Sequence, residues 1–426
     1  MSPIHLNRSP EDHQILALLR ESVARGASDL HFQGPPDSRF WLRIDGELVD
    51  GGASGALGAL DQWVSGILTP SSDRSLGGDV DFSFAIEGLA RFRVHLYRMS
   101  RTWGAVLRVI SAQPPTLQSL GVPEILNRIP KLHRGLVLVT GATGSGKSST
   151  LAALIHEINR TEARHIVTIE DPIEFIHPPI KSRLSQREVG TDTLGFADSL
   201  RSALREDPDV ILVGEMRDPE TVAVALKAAE TGHLVLSTVH TQDAERTIGR
   251  VIALFPPEEQ RLVRLRLADN LAAIVSQRLV EKKTGGRAAA MEIVMATQSV
   301  RDCIEAPERT AEMLDLVQTS GDGQSFDRHL VELYLSGQIS LDTARNSATR
   351  PADLERELRF GKHAGAKLSE ADRLALEQEV ELSGDGAGRA EPSVPSPKEK
   401  GPVKNHPFDS LKIQDKASSQ GKPRRT

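Results

Sequence analysis

The octapeptide Gly141-Ala-Thr-Gly-Ser-Gly-Lys-Ser148 constrains this chain more than any other stretch. It satisfies G-x-x-x-x-G-K-[ST], and its setting is the one that pattern needs. The apolar run Leu136–Thr140 precedes it, and Leu151, Leu154, Ile155 and Ile158 follow at helical spacing. A strand feeding a glycine-rich turn into a helix predicts an α/β unit with phosphate bound at the helix N-terminus. Gly141, Gly144 and Gly146 free the backbone N–H groups to face phosphate oxygens. Ala142, Thr143, Ser145 and Ser149 complete the loop. Lys147 is placed to reach the β- and γ-phosphates of ATP, and the Ser148 hydroxyl to hold Mg²⁺.

Hydrolysis needs acids near that loop, and two groups follow other apolar runs. Glu170-Asp171-Pro-Ile-Glu174 comes after His165–Ile169, and Gly214-Glu215 after Val210–Val213. A further run, Leu234–Val239, ends at His240. In a doubly wound sheet ligands bind at the carboxyl ends of strands, so Lys147, Glu174, Glu215 and His240 are expected to converge. His233 stands at the other end of the last run, about 23 Å away at ~3.3 Å per residue, too far for one γ-phosphate to touch both histidines. His240 is therefore read as the phosphate sensor and His233 as structural or interfacial. One feature is unusual: Gly214 occupies the place of the acid that commonly organises Mg²⁺, which leaves more of the coordination to Ser148 and water.

A chain of 426 residues exceeds one ordinary core, so two domains are expected. Residues 1–112 read as a small α/β domain. A helix starts at Ser9-Pro10 and carries Ile15, Leu18, Leu19 and Val23 on one side. Strands follow at 28–32 and 40–49, the latter folded at Asp45-Gly46, then at Phe82–Ile86 and Phe92–Leu96, with another through Leu107 and Val109. Arg91 and Arg93 alternate with Phe92 and Val94, so both leave the face opposite the apolar one. Pro114-Pro115 marks a linker, 113–133, and the nucleotide domain is expected over 134–360 with a mostly parallel sheet. Within it, 258–281 reads as an amphipathic helix or helix pair, with further helices to about 360. The rest, 361–426, reads as an extension, disordered from about residue 381, within which Pro407–Ile413 carries a few apolar residues.

Composition excludes several classes. A single cysteine, Cys303, rules out a disulfide framework or a cysteine-built zinc site and fits a reducing compartment. A net charge of −6 gives no support to bulk nucleic-acid binding. The start of the chain lacks a signal segment, and no run reaches the ~18 apolar residues of a membrane span, so a cytoplasmic chain with only peripheral membrane contact is expected.

Four stretches together resemble the secretion ATPase superfamily: Ile169-Glu-Asp-Pro-Ile-Glu-Phe175, Arg201-Ser-Ala-Leu-Arg-Glu-Asp-Pro-Asp209, Val213-Gly-Glu-Met-Arg-Asp218 and Thr231-Gly-His-Leu-Val-Leu-Ser-Thr-Val-His-Thr241. Ala27–His31 and Arg43–Gly46 match that superfamily's first domain, and the nearest likeness is to the PilT/PilU twitching-motility ATPases. The resemblance implies a PAS-like first domain, a RecA-like P-loop domain, and a homohexamer that hydrolyses ATP to retract type IV pili. It implies an inner-membrane platform partner and a location at the pilus base, with a paralogous retraction ATPase as a further partner. It makes 170–174 the Asp box with Glu174 as catalytic carboxylate, Glu215 the Walker B glutamate, and His233 and His240 the His box. It also brings arginines of the first domain to a nucleotide across the ring, here Arg91, Arg93 and Arg108.

The sequence departs from that family beyond the core. Retraction ATPases carry a motif close to Ala-Ile-Arg-x-Leu-Ile-Arg; here Ser299–Glu305 keeps Arg301 but puts Glu305 in place of the second arginine. Gly323–Leu330 and the long tail look more like the PilU-type paralogue. A pilus-assembly or type II secretion ATPase, a non-catalytic nucleotide-binding regulator and a nucleic-acid translocase stay open as alternatives. The lack of four metal-binding cysteines and the short N-terminal region speak against the first of these.

Overall fold

The computed structural model describes residues 10–33, 39–44, 46–53, 79–86, 88–99, 102–110, 113–319 and 322–360. Ser9, Asp45 and the extension 361–426, including the stretch expected to be disordered and Pro407–Ile413, lie outside the described residues. What is described falls within one unit, Met1–Asp372.

Among the described residues, the first lobe is a six-stranded antiparallel sheet with one helix against it. Its strands are β1 (Asp29–Gln33), β2 (Arg39–Ile44), β3 (Glu47–Ala53), β4 (Val80–Ile86), β5 (Ala90–Met99) and β6 (Thr102–Ile110), in spatial order β3-β2-β1-β6-β5-β4. The period-two pattern sets its faces. In β5, Phe92, Val94 and Leu96 are buried while Arg91, Arg93 and His95 on the other face are half-buried. The helix Pro10–Ala24 lays Ile15 and Leu19 onto that apolar face, beside Leu30, Leu42 and Leu107. Each such fully buried side chain contributes roughly 1.5–3 kcal/mol.

The second lobe is an eight-stranded sheet: β7 (Gly135–Thr140), β8 (His165–Glu170), β9 (Arg183–Glu188), β10 (Val210–Val213), β11 (Leu234–Val239), β12 (Leu271–Glu281), β13 (Arg287–Met295) and β14 (Gly323–Gln324). The order is β14-β13-β12-β7-β11-β10-β8-β9, with every pair from β12 to β9 parallel and β13 and β14 antiparallel. Both faces are covered. Leu136, Leu138, Val235 and Val239 face the helices Pro219–Glu230, Ala244–Ala253 and Pro257–Asn270. Val137, Val139, Leu234 and Leu236 face the helix Lys147–Thr161. Burial on both sides explains why these strands read as continuous apolar runs.

Two stretches differ from expectation. The helical reading of 258–281 holds for Pro257–Asn270, but Leu271–Glu281 is strand β12, paired in parallel with β7. Leu271, Ile274 and Val275 imitate helical spacing because β12 is buried on both faces and loses its alternation. The helices expected beyond it are likewise interrupted by β13 and β14. The stretch read as a linker, 113–133, contains the short helix Leu117–Leu120 and the 3₁₀ helix Glu124–Lys131, and Leu117, Leu126 and Ile129 are buried with Leu154 and Ile158.

Candidate functional site

The phosphate loop joins β7 to the helix Lys147–Thr161, and its shape excludes side chains where glycine stands. Gly141 has φ +149°, and a Cβ there would lie 2.4 Å from both Gln277 O and Ser145 Oγ. Gly146 opens the helix at φ 89°. The helix holds because Thr150, Leu151, Leu154, Ile155 and Ile158 share its buried side. Lys147 is its first residue and is buried; its Nζ donates to Gly141 O and Ala142 O, both at 3.0 Å. Burial pushes the Lys147 pKa down, while Glu215 and Glu174 push it up. The loop is thus a closed backbone cradle with a buried ammonium beside it, which fits a triphosphate.

Around Lys147 the structure brings together the ends of three other strands. The Lys147 Nζ lies 3.5 Å from His240 Nδ1, just after β11, and His240 Nε2 lies 3.2 Å from Glu215 Oε2, just after β10. An ammonium only donates and a carboxylate only accepts, so the His240 ring between them is placed to accept at Nδ1 and to donate from Nε2. Glu215 is also paired with Arg217. Ser237 Oγ donates to Val213 O and Thr238 Oγ1 to Gly214 O, both at 2.7 Å, which ties β11 to the Walker B turn.

The Asp-box loop after β8 is held from below. Glu170 is half-buried, and desolvation raises its pKa to about 7 against hydrogen bonds from Thr168, Gln186 and the Glu174 backbone. Thr168 Oγ1 donates to Glu170 Oε1 at 2.7 Å, and Gln186 Nε2 donates to the same oxygen at 3.2 Å. Glu174 is exposed, with its carboxylate open to water and within electrostatic reach of Lys147. The buried Asn159 of the P-loop helix pins the following segment, accepting from Ile180 N at 3.0 Å and donating to Pro178 O at 2.8 Å.

His233 lies at the opposite end of β11. Its Nδ1 is 2.9 Å from Ala228 O and 3.1 Å from Thr231 Oγ1, at the C-terminus of the helix Pro219–Glu230. The three arginines of the first lobe part company. Arg91 donates to Ser83 Oγ at 2.6 Å and to Glu188 Oε2 of the second lobe at 2.9 Å, so it meets the nucleotide lobe of its own chain. Arg108 is bound to Asp29 at 2.8 Å, and Arg93 stands opposite Arg108 in the β5–β6 register. Beyond the core, Arg301 donates to Asp269 O at 2.6 Å and Leu271 O at 3.0 Å, capping the helix Pro257–Asn270, while Glu305 is exposed at the end of the helix Gln298–Glu305.

Several residues of the site escaped the sequence reading. Gln277 of β12 donates from Nε2 to Ser145 O at 2.6 Å and braces the P-loop from inside the sheet. Thr140, the last residue before the loop, donates to Ser276 at 3.0 Å. Ser276 in turn bonds the buried Glu292, which accepts from Ala244 N at 2.9 Å, at the start of the helix that follows His240. A strand reading of 271–281 would have put Ser276 and Gln277 beside the loop; no local pattern marks Glu188 or Glu292.

A parallel sheet with a P-loop at its centre and acids at neighbouring strand ends defines a P-loop ATPase of the RecA-like class. The chain belongs to the Type II/IV secretion system protein family, whose model matches residues 7–305. It is 45% identical over 350 residues to the type IV pilus retraction ATPase PilT of Pseudomonas aeruginosa, covering 79% of this chain and 98% of that one. It is 37% identical over 379 residues to the type IV pilus ATPase PilU of the same organism, covering 87% and 98%. Its fold is similar to a crystal structure of the pilus retraction motor PilT with bound ADP, at TM-score 0.73 and 40% identity over 80% of this chain and 99% of that one.

Proposed function

We propose that this ATPase works as a ring-shaped motor, a homohexamer, that drives retraction of type IV pili. The observation that carries this reading is the run Lys147–His240–Glu215 beside the Asp box, in a chain alike to PilT over nearly all of PilT's length. Lys147 leaves its carbonyl contacts at Gly141 and Ala142 to neutralise the β- and γ-phosphates. His240 reads the γ-phosphate and passes its loss to Glu215. Glu174, exposed to water, orients or deprotonates the attacking water, and Glu170 beneath it fixes the loop. The Ser148 hydroxyl, with waters, would hold Mg²⁺, which would supply positive charge against the phosphates. Arg91, Arg93 and Arg108 supply positive charge from the first lobe to a nucleotide across the ring. The motion is delivered to an inner-membrane platform protein from the cytoplasmic side, alongside a paralogous retraction ATPase.

The reading is tested in cells by comparing a Lys147→Ala strain with a full deletion. Both are expected to bear extra surface pili and to lose twitching. Loss of pili instead would indicate an assembly motor. A second reading, an accessory retraction ATPase of the PilU kind, draws support from Glu305, which reverses the charge of the family's second arginine. It predicts normal twitching of a Lys147→Ala strain as long as the paralogue is intact.

A further inference from the structure

Glu188 closes β9, and its side chain is only 11% exposed. Its Oε2 accepts two hydrogen bonds, one from each lobe. One comes from Arg91 Nη2 of the first lobe at 2.9 Å, and the other from the Ile173 amide of the Asp box at 3.2 Å. Its Oε1 receives the Thr191 hydroxyl at 3.4 Å, and its own amide donates to Asp192 Oδ2 at 2.8 Å, which fixes the turn carrying it. Ile173 immediately precedes Glu174. One carboxylate oxygen therefore joins an arginine of the antiparallel sheet to the backbone that aims Glu174.

Arg91 is not fully satisfied in this arrangement. Its Nε is buried and has no acceptor among the described residues. A buried unpaired donor is costly, so this contact is one from which Arg91 is readily drawn when the lobes shift. Two donors on one oxygen also make the bonds interdependent. Withdrawing Arg91 leaves Glu188 free to follow the Ile173 amide, and tightening on Arg91 pulls it away.

We propose that Glu188 is a positioning residue that couples the placement of the first lobe to the aim of Glu174, through the shared bonds of its Oε2 to Arg91 and to the Ile173 amide. The proposal rests on the reading of Glu174 as the catalytic carboxylate. It places the communication between lobes in an acid of an edge strand, outside the P-loop, the Asp box, the Walker B turn and the His box.

The experiment is a steady-state ATPase assay on the full chain with Glu188→Gln, Glu188→Ala, Arg91→Ala and the Arg91→Ala/Glu188→Gln pair, with Glu174→Gln as a reference. Melting curves accompany each variant, and the near-isosteric Glu188→Gln keeps the test open if Glu188→Ala does not fold. Glutamine retains an oxygen for the Ile173 amide and loses the charge that holds Arg91. Glu188→Ala is expected to lower kcat about 10- to 100-fold, the range for a lost hydrogen bond to a charged group, with KM for ATP within about twofold. Glu188→Gln is expected to lower kcat less. Arg91→Ala is expected to cost less in the Glu188→Gln background than alone, because residues acting through one contact are not additive. Unchanged kcat in both Glu188 variants, with Glu174→Gln inactive, overturns the inference and leaves the catalytic reading standing. So do effects of Arg91→Ala and Glu188→Gln that simply multiply. An active Glu174→Gln enzyme overturns the catalytic reading itself, and the inference with it.

Discussion

Gly214 and Ile169 approach so closely that the missing acid of the Walker B turn has a steric cause. The Gly214 amide donates to Ile169 O at 2.7 Å, and a Cβ at 214 would stand 3.3 Å from that same oxygen and 3.4 Å from Glu170 Cα. Phe196 closes the space from the other side at 3.3 Å. The two at 3.3 Å are tighter than ordinary contacts, and two of the three atoms are backbone leading into the Asp box. The β8 strand end is thus packed directly on β10 at the site, and Glu170 is held where its neighbours can bond it.

It follows that restoring the usual acid would harm the enzyme. Gly214→Asp and Gly214→Ala are both expected to lower stability by about 1–3 kcal/mol, the usual cost of overpacking, and to lower kcat by displacing Glu170. Thermal melts and ATPase assays of the pair check this. Higher kcat in Gly214→Asp would show that the site lacks a metal ligand rather than space.

The two histidines of the His box should separate by what they damage. His240 lies between Lys147 and Glu215, so His240→Ala is expected to reduce kcat about 10²-fold with ATP affinity little changed, in line with the loss of one preorganised polar group. His233 bonds the Ala228 carbonyl and the Thr231 hydroxyl at the end of the helix Pro219–Glu230, so His233→Ala is expected to cost about 1 kcal/mol of stability with kcat nearly intact. Kinetics and melting measured on both variants decide, and equal kinetic losses would refute the division.

Much of this was legible in the sequence because it is local. The strand, loop and helix around Gly141–Ser148 are contiguous, and Phe92 and Val94 alternate with Arg91 and Arg93 over one strand. The strand ends that carry Glu170, Glu215 and His240 followed from where the apolar runs stop. What stayed hidden was set by partners far along the chain. β12 lost its alternation because both its faces are buried, which hid Ser276 and Gln277. β9 is a polar edge strand, Arg183-Leu-Ser-Gln-Arg-Glu188, with no period to announce it, and so Gln186 and Glu188 were invisible. Arg91, read as reaching a nucleotide across the ring, also has a partner within its own chain that no sequence pattern announced.

Stability should depend on pH through Glu292. It is buried between Ser276 and Ala244 N, with Asp243 and Arg278 as the nearby charges, and its pKa is raised from 4.5 to about 7, chiefly by burial. The folded chain therefore holds a proton that the unfolded chain releases between those values. The contribution is fully present below about pH 4.5 and is lost as pH rises through about 7, on the order of 3 kcal/mol in total. Glu292→Gln keeps an oxygen for the Ala244 amide and does not titrate. Denaturant melts at pH 6 and pH 8.5 are expected to show a smaller fall in stability for Glu292→Gln than for the parent. Glu170 titrates in the same direction in both proteins, so the difference between them isolates Glu292. Parallel slopes would mean that Glu292 is already ionised in the fold.

Gln277 offers the most direct test of how the sheet supports the phosphate loop. Its side chain is 2% exposed, and Nε2 donates to Ser145 O at 2.6 Å, the carbonyl at the crest of the P-loop. Its Oε1 is buried with no partner among the described residues, so the residue is kept there at the cost of one unsatisfied acceptor. Gln277→Leu removes both groups at similar volume. Ser145 O is then left without its donor, the loop loses its brace, and KM for ATP is expected to rise about 10-fold with a smaller change in kcat. Gln277→Glu is expected to be worse, because it sets a carboxylate against Ser145 O and under the triphosphate. Its activity should recover partly at lower pH, where the acid protonates and donates to Ser145 O as the amide did. If Gln277→Leu binds ATP as tightly as the parent, the loop is held by its own glycine geometry and the helix Lys147–Thr161 alone.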